Sequence, residues 1–152
     1  MAHIQRIAIL IPMAVGSSAV LATIVTHGLA VSATLNFVRR ERKLGRTGES
    51  FWVDLGIVVP TIALVLLAHL FEIAMWAVLF VMCGEFPEFA TAYYHSAVNY
   101  TTLGYGDLIM TPTWRLLGPL EAANGALMFG VSTAIIFALI QRLIRARFAD
   151  VN

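Results

Sequence analysis

Residues 101–107 read Thr-Thr-Leu-Gly-Tyr-Gly-Asp, and this polar heptad lies between two apolar stretches long enough to cross a bilayer. Gly104 and Gly106 alternate with Leu103 and Tyr105. Glycine reaches backbone angles that other residues resist, so a strand with this alternation can turn consecutive carbonyls to one side. A row of inward carbonyl oxygens replaces the water around a dehydrated cation, and potassium is the ion such oxygens suit. Leu103 and Tyr105 are then expected to pack outward and hold the strand open, while Thr102 adds a hydroxyl oxygen at its inner end. In a soluble protein the same letters would read as a β-turn. The flanking spans decide against that, because irregular backbone at membrane depth is tolerated only inside protein or beside a water-filled cavity.

The rest of the chain fits a membrane setting. Its 152 residues are 59% hydrophobic and 12% charged, about half the charge of an ordinary soluble domain. A net charge of +1 carries no nucleic-acid signal. The single Cys83 cannot form an intrachain disulfide. No nucleophile motif, phosphate loop or metal-ligand cluster is legible, so neither an enzyme nor a bound cofactor is expected, only a permeant ion.

Three stretches exceed the roughly 20 residues needed to span a bilayer: Ile7–Val38, Phe51–Cys83 and Leu116–Ile144. Pro60 offers a kink in the second, and Trp52 and Trp76 offer interface anchors. Between the second and third spans, Pro87–Tyr100 is too short and too polar to cross. With Pro87 in its first turn and Glu85 and Glu88 near its positive end, it predicts a short re-entrant helix feeding directly into Thr101. The expected fold is all-α and membrane-embedded. Residues 1–38 would form an additional N-terminal span and residues 39–50 a basic cytoplasmic loop. Residues 51–147 would form the pore domain, and residues 148–152 a short cytoplasmic tail.

Charge orients this arrangement. Arg39, Arg40, Arg42, Lys43 and Arg46 cluster after the first span, partly offset by Glu41 and Glu49, and Arg142, Arg145 and Arg147 close the third. Both clusters belong on the cytoplasmic side. The N-terminus and the loop carrying Glu85, Glu88 and Asp107 then face outward. A cleaved leader ending at Val31-Ser32-Ala33 is the rival reading, but the apolar stretch is far longer than a leader requires.

From Phe51 to Ala146 the chain resembles the pore-loop potassium channels, whose filter differs from Thr101–Asp107 only in having Val or Ile where Leu103 stands. The resemblance implies that Thr102, Leu103, Gly104 and Tyr105 supply the potassium-binding carbonyls, with Thr101 and Gly106 supporting them. Asp107 would sit just outside the filter, braced by the aromatic donor Tyr94. It also implies a homotetramer, since one chain carries one filter strand and four are needed around an axis. A multi-pass protein of the cell membrane, in contact with lipids and in a bacterial inner membrane, follows from the same likeness. The third span, with Glu121-Ala-Ala-Asn-Gly125 and then Gly130-Val-Ser-Thr, is similar to the inner helix of bacterial inward-rectifier-type channels. Val98, Asn99 and Tyr100 depart from the family pattern, Tyr100 being bulky where a small residue or Met is usual.

Several readings stay open at this level. Gly125 and Gly130 serve either as hinges or as points of close packing. Ser132 and Thr133 either line a wet cavity or bond back to their own helix. His69 and Glu72, one helical turn apart in the second span, are a structural polar contact, a pH-responsive brace or a metal site, with Glu121, His95 and Asn99 as candidate partners. His27 reads as a packing donor. The expected function is passive, selective potassium transport. A non-conducting membrane subunit that modulates another channel is the alternative.

Overall fold

In the computed structural model the backbone is described for residues 2–47 and 50–148, and side chains from Ile9 onward. Glu49 and residues 149–152 of the expected tail, Asp150 among them, lie outside the described residues. Four helices follow one another: α1 (Ala2–Lys43), α2 (Phe51–Met82), α3 (Phe89–Tyr100) and α4 (Leu117–Arg147). The described residues contain no strand. Three segments, Ile9–Lys43, Phe51–Met82 and Leu117–Phe148, are long and apolar enough to cross a membrane. At 1.5 Å per residue, a 32-residue span reaches about 48 Å against a hydrocarbon core of about 30 Å. The 12 residues of α3 reach only about 18 Å, so α3 cannot cross.

Each span turns a narrow stripe inward. On α1 the buried residues are Pro12, Gly16, Thr23, His27 and Thr34, all on one face. Small residues there let backbones approach. A Cβ on Gly16 would lie 2.5 Å from Leu120 Cδ1 of α4. The hydroxyls of Thr23 and Thr34 bond back to Val20 and Ala30 carbonyls of their own helix. This disposes of polar groups in an apolar span. Most of the remaining α1 surface is exposed and apolar, including Leu10, Leu21, Val25 and Leu29.

The main core gathers where α2, α3 and α4 meet, around Trp76, Phe80, Phe86, Ala92, Tyr100, Leu117 and Met128. Trp76 is fully buried, so of the two candidates Trp52, 76% exposed, stands where an interface anchor could act. The indole was misplaced because its aromatic bulk suits an interface and a core equally well. A second cluster of Ile57, Leu139 and Leu143, with Phe37 and Val38 against it, closes the opposite end. There Arg147 pairs with Asp54, joining α4 to the first turn of α2.

Two boundaries differ from expectation. The basic run does not form a loop: α1 continues through Arg39, Arg40, Arg42 and Lys43, and the connection begins at Leu44. Cations in a last turn are stabilised by the negative helix end, which favours continuation. The helix stops at Gly45, with Gly45 N–H bonded to Arg42 O and Arg46 N–H to Glu41 O, a Schellman ending. At α3, Pro87 precedes the first turn, and Glu88 holds the N-cap position with extended backbone. Proline disfavours helical angles in the residue before it, not after it, so it fixes the approach and leaves the start to Phe89.

Candidate functional site

The heptad begins where α3 ends. Thr102 N–H bonds to Asn99 O at 2.8 Å and Leu103 N–H to Val98 O at 2.9 Å, again a Schellman ending. The α2 helix closes identically around Gly84. At α1 and α2 the left-handed position is glycine, with φ of +74° at both Gly45 and Gly84. At α3 it is Thr102, with φ of +60°. For a β-branched residue this costs on the order of 1–2 kcal/mol, and such strain persists only where its surroundings enforce it.

The enforced geometry orders the carbonyls. Gly104 N–H also turns back to Val98 O, at 3.2 Å. In a trans peptide the N–H and the preceding C=O point in opposite directions, and no cis bond is present among the described residues. With the amides of 102, 103 and 104 aimed at the helix end, the carbonyls of Thr101, Thr102 and Leu103 emerge on the far side. Left-handed φ recurs at Gly104 (+61°) and Gly106 (+73°), so alternate residues keep the pattern through the heptad. A Cβ at either glycine would meet nothing within 4 Å, so the backbone angle alone calls for glycine there.

Leu103 and Tyr105 are 54% and 66% exposed in the single chain. They do not bury themselves against the helices of this chain, as an outward-packing pair within one chain would. Asp107 accepts a hydrogen bond from Tyr94 Oη at 2.7 Å. That carboxylate holds the Tyr94 phenol above its ordinary range. Beyond the heptad, Glu85, just past the end of α2, accepts from Thr111 N–H at 2.7 Å and from its hydroxyl. The descending segment is thereby tied to the scaffold.

Tyr100, the last residue of α3, turns away from the heptad into the interior and is fully buried. Its hydroxyl donates to Glu72 Oε2 and lies 3.2 Å from His69 Nδ1. Glu72 Oε1 lies 2.9 Å from His27 Nδ1 of α1. Ser132 Oγ of α4 lies 2.9 Å from His69 Nε2 and 3.1 Å from His27 Nε2. The expected His69–Glu72 pair is therefore part of a larger group whose partners are His27, Tyr100 and Ser132, not Glu121, His95 or Asn99. His27, His69 and Glu72 bring one nitrogen or oxygen each within 4.8 Å of one another, but every one of those side chains is already hydrogen-bonded. Ser132 leaves the wet-cavity reading for this group, whereas Thr133 stays exposed. His27 carried the only sequence signal available for its part: an imidazole within an apolar span.

The other candidates separate as well. Glu121 is fully buried and takes its contact from Ser96 at 2.5 Å. His95 lies 2.9 Å from Asn99 Nδ2 and packs between Phe80 and Phe86, and burial pushes its imidazole below the ordinary value. A Cβ on Gly125 would fall 2.0 Å from Tyr100 O, which makes Gly125 a point of close packing against the pore helix. Gly130 has open space around it.

Two long apolar helices holding a helix too short to cross, with ordered carbonyls at its end, are the arrangement of a pore-type membrane channel. A family model described as ion channel matches residues 65–142, just over half of the chain, and the chain belongs to that family. The matched region takes in most of α2, all of α3 and most of α4, and leaves α1 outside it. Neither the curated proteins nor the solved structures give a match.

Proposed function

We propose that the chain is a potassium-selective channel subunit that works as a homotetramer, with Thr102, Leu103, Gly104 and Tyr105 presenting carbonyls to the permeant ion. The observation that carries this reading is the turned backbone after α3, where three amides face the helix and their carbonyls face away. Selectivity would come from those oxygens replacing potassium's hydration shell better than sodium's, and throughput from repulsion between neighbouring ions. Ion flow is passive, and the chain's residues supply positioning, not chemistry.

Exposure supports assembly. Leu103, Tyr105 and Ile109 are uncovered in one chain, Ile109 by 83%. Around a fourfold axis, neighbouring copies would cover them and bring four strands together. Thr101 and Gly106 support the filter, the Tyr94–Asp107 bond braces its mouth, and Gly130 is the remaining hinge candidate. The basic residues at the ends of α1 and α4 favour a cytoplasmic C-terminus and an outside N-terminus in a bacterial inner membrane.

The test is flux from potassium-loaded liposomes reconstituted with the purified chain, run with potassium, sodium and barium. Potassium-selective, barium-blocked flux from a particle with a tetramer's mass is expected. Equal sodium and potassium flux would refute selectivity. A stable, non-conducting monomer or dimer would favour a modulatory subunit instead.

A further inference from the structure

We propose that His27, Ser132, His69, Tyr100 and Glu72 form a buried proton-binding ring that straps α1 to the residue preceding the filter. The five side chains close a circuit of five contacts: Glu72 to His27, His27 to Ser132, Ser132 to His69, His69 to Tyr100, and Tyr100 back to Glu72. Each contact needs one hydrogen between its two heavy atoms, since two lone pairs at hydrogen-bond distance repel. An ionised carboxylate, two neutral imidazoles, one alcohol and one phenol hold four such hydrogens. All five contacts are satisfied only when the ring carries one proton more. That proton sits on Glu72, with both imidazoles neutral, or on one imidazole beside an ionised Glu72. Either arrangement leaves the ring electrically neutral.

Burial makes the extra proton matter. Relative exposure is 0% at Glu72 and Tyr100, 3% at His27 and 4% at His69 and Ser132. Without the proton, one contact opens and a net negative charge stays in a dry interior, which is costly unless paired. The groups facing the ring offer no compensation. From α4 the nearest ionisable group is Glu121, itself acidic, and Phe129 covers His69 with ring centroids 4.4 Å apart. On α3, Ser96 is engaged with Ile73 O and Glu121, and His95 packs against Phe80 and Phe86. From α1, Thr23 pairs with Asn124 and Thr26 with Met75. Among the described residues no Lys or Arg touches the ring.

The ring draws on all four helices, and its α3 member is Tyr100, whose successor Thr101 opens the heptad. Loss of the proton would slacken the hold on Tyr100 and lower conduction without changing which ion passes. The α1 helix thereby gains a role as a proton-dependent strap. The conduction half of this inference rests on the channel reading; the proton count does not.

Glu72→Gln separates the possibilities. A carboxamide offers an N–H to His27 and a carbonyl to Tyr100, so all five contacts are filled with both imidazoles neutral and no extra proton is needed. Infrared spectra of the reconstituted protein, with isotope-labelled glutamate, and nitrogen NMR of its histidines read the proton directly. The expected result near pH 7 is either a protonated Glu72 carboxyl absent from E72Q or one imidazolium. Wild-type current should fall about fivefold or more on the alkaline side. The E72Q current should persist and stay flat, while Glu72→Ala loses it. An ionised Glu72 with two neutral imidazoles near pH 7 would overturn the ring. So would a stoichiometric transition metal retained through chelator dialysis, or alkaline loss of current undiminished in E72Q. If no preparation conducts yet the spectra show the proton, the channel reading fails and the ring stands.

Discussion

Gly125→Ala is the sharpest single test of how α4 sits on the pore helix. The added methyl carbon would lie 2.0 Å from Tyr100 O, 2.8 Å from Tyr100 C and 3.1 Å from Tyr100 Cδ1. The first two are backbone atoms, which cannot swing aside as a side-chain end can. Ordinary contact begins near 3.4 Å, so α4 and the end of α3 must separate by more than about 1 Å. Overpacking of this kind costs about 1–3 kcal/mol, and here the strain falls on the residue that closes α3. Thermal unfolding in detergent should show a clear drop for G125A, and potassium flux should fall with it. Gly130→Ala is the matched control, since its methyl meets nothing within 4 Å and alanine improves helix propensity. Wild-type melting and flux in G125A would refute the close approach. A loss of flux confined to G130A would support a hinge at Gly130 and leave the close approach at Gly125 without consequence for conduction.

The other predictions follow from the backbone, the histidine and the charges. Gly104→Ala or Gly106→Ala forces a methyl onto φ of +61° or +73°, costing about 1–2 kcal/mol each, so both variants should insert normally while selective flux is lost. Unchanged potassium-over-sodium flux in both would refute the filter assignment. His95 is held below its ordinary value by burial, so the stability it contributes is present with the imidazole neutral and is lost as pH falls through the lowered value. His95→Gln should therefore flatten the acid side of a melting-temperature profile, and an unaltered profile would refute that. Lys43, in the last turn of α1, should be labelled only from the cytoplasmic side and a cysteine placed near Met1 only from outside. Labelling of both from one face would mean that α1 does not cross.

Periodicity and punctuation made the fold legible. Long apolar runs with few charges gave three spans, and the short polar segment before Thr101 gave the fourth helix. The heptad was readable for a different reason: its glycines declare backbone angles, which are local. What could not be read was pairing. An imidazole in an apolar span announces that it needs a partner, yet His27 and Glu72 stand 45 residues apart and nothing local joins them. Tyr100 was misleading for the same reason, since its bulk beside the heptad says nothing about which way it turns. The end of α1 was misjudged because clustered arginines suit a loop and a helix C-terminus alike. The burial of Trp76 reflects which face of α2 receives α3, a tertiary fact.

Three helix ends here share one design, and two of them place at the turning point a residue indifferent to handedness. The third places Thr102, which resists the turn it makes. A segment held against its own preference does not own its shape; it inherits that shape from whatever holds it. For residues 102–104 the holders are two carbonyls, Val98 and Asn99, in the last turn of α3. Damage to that turn should thus be heard first as altered ion discrimination, well before calorimetry or proteolysis registers any loss of the fold. Screens that score only expression and melting will pass over such variants, and ion discrimination is the readout that finds them.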